Sequence, residues 1–278
     1  MAASQIAQNL AFINWTVLTA LALGTYAAAF LTRWRTQATR GYVRFTSVCA
    51  IAFGVLAWLS DGALPATLGN SPIVTDATFD GPRRLALIAF LALAIAELVV
   101  LRSGRRSLVA GVATLTAGAL VLVFGALAWG GGVLGAVPLL VQLSVLCAAT
   151  GGVFAAMILG HWYLVTPKLP EAPMILIARL LLAIVALQVA LFTAWIATGA
   201  GPAGGAPFTA LTGANALFVW LRLIVGLVFP LIVSWAAVQT ARTRSMESTT
   251  GLLYINVGSI AAGTILAAGL YFGSGLLV

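Results

Sequence analysis

Few side chains in this sequence can do chemistry, and most of those lie inside apolar runs. His161 is the single histidine, and it stands with Trp162 and Tyr163 in GHWYLVTPKLPEAP, where a long apolar stretch gives way to three prolines. Histidine is the side chain whose ordinary titration falls near neutral pH. Glu97 lies a few residues before Arg102 at the end of another run, and Arg179 lies a few residues after Pro173 at the start of a third. At 1.5 Å of rise per residue, all three fall on the order of 6 to 9 Å inside the same membrane boundary. Ionisable groups at membrane depth cost roughly 2.5–3.5 kcal/mol each on insertion scales, so each needs a partner or a use. An acid, a cation and an imidazole at a common depth, with the Tyr163 hydroxyl beside them, suit a quinone or quinol site: donors for a carbonyl oxygen and a carboxylate to relay the proton. The competing expectation is that Glu97 and Arg179 form a structural ion pair, with His161 and its aromatic neighbours at an interfacial helix end.

A second group lies toward the other boundary. Arg222, in NALFVWLRLIVGLVFPLIVSW, falls about two turns into a run, where it can snorkel, meet Asp61, Asp76 or Asp80, or bind an anionic group. Asp76 and Asp80 belong to SDGALPATLGNSPIVTDATFDGPRR, residues 60–84, a connection long enough to take part in ligand or partner contact. Its plainer reading is a solvated link in which Asp80 pairs with Arg84. Gln142, Gln188, Asn215, Gln239 and Asn256 fit hydrogen bonds between helices better than ligand contacts. Two axial histidines for a haem are impossible with one His, and a His161–Met174 pair is the disfavoured remainder. No metal site is expected, and there is no Walker A loop, HExxH or GxSxG.

The elements that must position these residues follow from composition. Of 278 residues, 62% are hydrophobic and 7% charged, with a mean hydropathy of +1.10. Those values describe an integral membrane protein. The net charge of +8 is scattered in short clusters between apolar runs, which argues against nucleic acid as a partner. A bilayer core takes about 20 apolar residues per helix. The expected fold is therefore all-α: one integral membrane domain over residues 1–278, a polytopic bundle of about eight transmembrane helices near 9–32, 44–60, 84–101, 107–129, 138–165, 174–198, 216–240 and 250–276. Arg33, Arg35, Arg40, Arg44, Arg102, Arg105, Arg106, Lys168, Arg242 and Arg244 fall in alternate connections, so the positive-inside rule puts both termini on the outer side. The bacterial inner membrane is the expected location. Cys49 and Cys147 lie in apolar runs and read as small hydrophobes. Gly269 with Gly273, and the TGG at 150–152, read as small-residue helix contacts. No solenoid repeat and no internal duplication of the kind that marks an inverted-repeat transporter is evident.

The segments WLRLIVGLVFPLIVSW and GLLYINVGSIAAGTILAAGLYFGSG resemble the last two spans of the membrane-anchor subunit of dimethyl sulfoxide reductase and polysulfide reductase type complexes. The points of similarity are Trp220 with Arg222 and a glycine-rich last helix with Tyr271; the acidic and basic residues of the last span in such anchors are missing here. The resemblance implies about eight helices, no haem of its own, and a quinol site serving attached redox subunits, with Arg222 as the one residue carried over. The expected function is thus a non-catalytic membrane subunit that anchors a respiratory or photosynthetic electron-transfer complex. Its partners would be other subunits and lipids, with quinone as the one possible cofactor. The alternatives are a small-solute or lipid transporter component and a purely structural subunit of a larger assembly.

Overall fold

The computed structural model describes residues 3–66, 68, 71–103, 107–166 and 168–278, with side chains from Asn9 onward. Arg105 and Arg106, two of the topology signals, lie outside the described residues, as do Thr67, Gly69 and Asn70 of the long connection. The described elements are helical: α1 (Ala3–Arg35), α2 (Arg40–Gly62), α3 (Asp80–Arg102), α4 (Leu108–Trp129), α5 (Val133–Val165), α6 (Ala172–Thr198), α7 (Ala216–Leu223), α8 (Phe229–Arg242) and α9 (Met246–Ser274). A π-helical turn, Ile224–Val228, joins α7 to α8, so that Ala216–Arg242 is one continuous rod. Eight of these helical stretches are long and apolar enough to cross a membrane. Local signals set several ends. Thr39 and Ser107 cap α2 and α4 by accepting from the backbone N–H of Tyr42 and Ala110. Gly199 and Gly275 close α6 and α9 at φ 65° and 70°, where a side chain would be strained. The helix α5 begins at Val133 rather than at 138, because a proline near a helix start forgoes one hydrogen bond without ending the helix.

The packing is that of two similar four-helix units. In the first, α1 and α3 each pack on both α2 and α4; in the second, α5 and α8 each pack on both α6 and α9. Contacts between units obey the same exchange: α1 packs on α5 along the main interface, α1 on α9 as α5 on α4, and α1 on α6 as α5 on α2. The sequence carries the same relation. TVLTALALGTYAAAFLTRW (16–34) aligns without gaps on SVLCAATGGVFAAMILGHW (144–162), and AWLSDGALPA (57–66) on AWIATGAGPA (194–203). This is a parallel repeat, a different kind from the inverted duplication that the sequence was read against. The signal was diluted because both copies are built from the same few apolar residue types. With four spans per unit, both units start at the membrane face that holds the chain termini, here termed the terminal face, and the pseudo-two-fold axis runs along the membrane normal.

The main interface is a backbone contact. A Cβ built on Gly24 of α1 would lie 3.0 Å from the Gly151 Cα of α5, and one built on Gly151 would lie 2.5 Å from the Gly24 Cα. Thr25 donates its hydroxyl to the Gly151 carbonyl at 3.3 Å across the same crossing. The TGG expectation thus fits. Gly269 and Gly273 do not make such a contact: added methyls there would meet Ile13 and the Asn9 amide at ordinary distances of 3.5 and 3.4 Å. The close approach in α9 is instead at Gly263, against Gly226 of the π turn.

Candidate functional site

Four places in the bundle hold polar groups together. The first, in the half away from the terminal face, centres on Glu97 of α3. Glu97 is buried and accepts from the Tyr26 hydroxyl and the Arg33 guanidinium, both carried by α1. Arg33 is itself buried, with its guanidinium carbon 5.3 Å from the Phe30 ring centre and 5.6 Å from that of Trp34. The expected Glu97–Arg179 pair is therefore replaced by Glu97–Arg33. The structure does not gather the four residues proposed for a quinone: α3 packs on α2 and α4, His161 of α5 and Arg179 of α6 are exposed, and Tyr163 is buried with its hydroxyl donating to the Pro170 carbonyl. Equal depth left the direction around each helix axis undetermined. Met174 is fully buried, unlike His161.

The second place, at the terminal face, was only partly anticipated. Asp61, the penultimate residue of α2, is 3% exposed and accepts from Trp15 Nε1 at 2.9 Å, Arg83 Nε at 2.8 Å and Arg84 Nε at 3.1 Å. Arg83 also reaches Asp80 at 2.7 Å and lies 4.7 Å from the Trp129 ring centre. The anticipated pairing of Asp80 with Arg84 is thus redistributed: Asp80 goes to Arg83, and Arg84 to Asp61. A cavity of about 180 Å³ opens beside these groups. Asp76 is exposed and caps a short 3-10 turn, Ala77–Phe79, by accepting from the Thr78 N–H at 3.0 Å and hydroxyl at 2.6 Å. These bonds hold its carboxyl below the usual carboxylate range. The connection is tied to the bundle by Asp76 N–H donating to Ala128 O at 2.7 Å, and by buried Leu68 and Ile73.

The third place is Arg222 of α7, which the sequence expected to snorkel or to meet Asp61, Asp76 or Asp80. It does neither. It is 2% exposed, and it donates to the Gly226 carbonyl at 3.2 Å and to Gln188 Oε1 of α6 at 3.4 Å. Gln188 in turn donates to Val145 O of α5 at 3.0 Å. The π turn is the local cause: it alters the carbonyl pattern of the seventh span, and Ser259 takes up Val225 O while Arg222 takes up Gly226 O.

The fourth is a lateral groove of about 270 Å³ between α1, α7 and α9. Its floor includes Gly269 and Gly273, its rim includes the exposed Leu10, Phe218 and Ile265, and Asn9 and Asn215 bring carboxamides to it. An apolar slot with a few polar groups that opens on the lipid-facing surface is suited to an amphipathic, lipid-soluble molecule. In the sequence, Asn215 and the two glycines read as packing residues. Only their proximity to Asn9 across chain ends marks them as lining residues.

Among the described residues, no group of three or more His, Cys, Asp or Glu side chains is placed to hold a metal ion. Both cysteines are free thiols. In comparisons with known proteins, no family model matches this chain and no curated protein matches it.

Proposed function

We propose that this chain is a membrane subunit without a catalytic centre of its own, which anchors an electron-transfer assembly in a bacterial inner membrane and offers its lateral groove to a quinone. The observation that carries this reading is the groove itself. Its volume is on the scale of a quinone head group, its walls are apolar, it opens beside exposed Leu10, Phe218 and Ile265, and the amides of Asn9 and Asn215 can donate to carbonyl oxygens. The ionic groups at Glu97 and Asp61 support a non-catalytic role, since each carboxylate is already engaged by two or more donors.

Extraction from the native membrane in mild detergent, followed by mass spectrometry of bound proteins and solvent-extracted quinone, tests this. Stoichiometric redox subunits and quinone are expected, and Gly269→Leu, which fills the groove, should deplete the quinone while the subunits stay bound. A chain that emerges alone and quinone-free overturns the proposal.

A second reading, a component of a small-solute transporter, draws on the two repeated units and on the π turn followed by Pro230 inside the seventh span. Solute flux by the protein reconstituted alone into vesicles would favour it over the first.

A further inference from the structure

The six acidic side chains can all be placed, and none forms an ion pair with Arg222. Asp61 is held by Trp15, Arg83 and Arg84; Asp80 by Arg83; Glu97 by Tyr26 and Arg33; Glu171 by Arg244. Asp76 is occupied with Thr78, and Glu247 lies in the first turn of α9, at the face opposite the one where α7 begins. A guanidinium cannot shed its proton in a protein, so Arg222 carries a full charge at 2% exposure with only a carbonyl and an amide oxygen against it. A buried charge without a counter-charge is strongly unfavourable.

The repeat shows what is missing. In the first unit Arg83 and Arg84, near the start of the third span, both meet the carboxylate of Asp61; in the second unit the position aligned with Asp61 is Thr198. The second unit thus keeps the cation and lacks the acid.

We infer that the second four-helix unit binds a small monovalent anion at Arg222, between α5, α6 and α9. Two further observations place it there. Arg222 Nε is buried with no hydrogen-bond partner, as is Oε1 of Gln142, a 2% exposed side chain one turn along α5 from the Val145 carbonyl that Gln188 holds; the Gln142 carboxamide can present its N–H₂ instead by a simple flip. Hydroxyls lie close by: Thr150 of α5 pairs with Thr264 of α9 at 2.7 Å. Thr264 follows Gly263, where an added Cβ would lie 2.8 Å from Arg222 Nη1. The low exposure of Arg222 favours a small ion over a lipid phosphate, whose glycerol backbone would have to enter the bundle.

The test uses the full chain in nanodiscs of neutral phosphatidylcholine, with sodium gluconate exchanged for sodium chloride or sodium nitrate at constant ionic strength, and reads the thermal unfolding midpoint. A saturable rise is expected, about 5 °C at a hundredfold excess over the dissociation constant. Gln188→Glu places a carboxylate where Oε1 now lies 3.4 Å from Arg222 Nη2. It should raise the midpoint in gluconate and abolish the response to chloride and nitrate. Arg222→Gln should abolish the response as well; if that variant does not fold, Gln188→Glu alone decides. The inference is overturned by equal midpoints in gluconate, chloride and nitrate, by a response that survives in Gln188→Glu, or by stabilisation that requires phosphatidylglycerol rather than a soluble anion. None of these outcomes depends on whether quinone binds the groove.

Discussion

Alanine at Gly151 and alanine at Gly269 should have opposite effects, although both are glycines inside transmembrane helices. In either case the substitution removes a residue that is poor for helices, a gain of about 1 kcal/mol. At Gly151 the new methyl would sit 2.5 Å from the Gly24 Cα and nearer still to the Thr25 nitrogen, where about 3.5–4.0 Å is the normal separation of carbon atoms. The obstacle is backbone, which cannot rotate away, so α1 and α5 must part by roughly 1 Å along the main interface between the two units. Overpacking of this kind costs about 1–3 kcal/mol and sometimes more, and rigid backbone on both sides puts it at the upper end. A net loss of about 2 kcal/mol follows. For a chain of this size that corresponds to a midpoint lower by about 4–8 °C. At Gly269 the methyl would meet Ile13 Cδ1 at 3.5 Å, ordinary contact, and the midpoint should stay or rise by up to about 3 °C. Thermal unfolding in one detergent, followed by tryptophan fluorescence, compares the two. A Gly151→Ala protein as stable as the parent would refute the backbone-contact account of how the units are joined.

Other consequences can be measured. Asp61→Asn leaves Arg83 with the half-exposed Asp80 as its remaining counter-charge and should destabilise by about 3 kcal/mol, the lower end for a broken buried pair, in detergent unfolding, whereas the same change at the exposed Asp76 should leave the midpoint unmoved. Glu97→Gln removes the carboxylate that Arg33 pairs with, so the Glu97→Gln, Arg33→Gln double variant should be less damaged than the sum of the singles, by about 1 kcal/mol or more in a double-mutant cycle. The Asp76 carboxyl is depressed in the folded chain, so its capping contribution is present above the unfolded-chain carboxylate pKa and is lost as pH falls through the lower folded value. Hydrogen exchange of the Thr78 amide, corrected for its intrinsic pH dependence, should lose protection over that acidic window and should not do so in Asp76→Asn. His161→Ala should leave the quinone content of the purified protein unchanged, because His161 is exposed on α5 while the groove lies between α1, α7 and α9.

Fold class, and the number and approximate limits of the spans, are legible in the chain's local composition. Hydropathy is a sum over neighbours along the chain, and a run of some twenty apolar residues has one low-energy solution in lipid, a helix with its backbone bonds closed internally. The sequence also held the repeat, in the paired TVLTALALGTYAAAFLTRW and SVLCAATGGVFAAMILGHW, though shared apolar composition hid it. The depth of each ionisable residue was legible in the same way. The direction in which each residue faces is set by packing. In a soluble helix the apolar stripe marks the inner face; here the lipid side and the core side are both apolar, and that marker is absent. So Glu97, Arg179 and His161 could be placed at one level, but only packing showed that Glu97 turns to Tyr26 and Arg33. Likewise Gly24 and Gly151, rather than Gly269 and Gly273, became the point where two backbones touch. Arg222 was visible from the start as a charge in an apolar run. That it stands buried beside Gln188, with every acidic side chain engaged elsewhere or lying at the opposite face, is a property of the assembled helices and of no one of them alone.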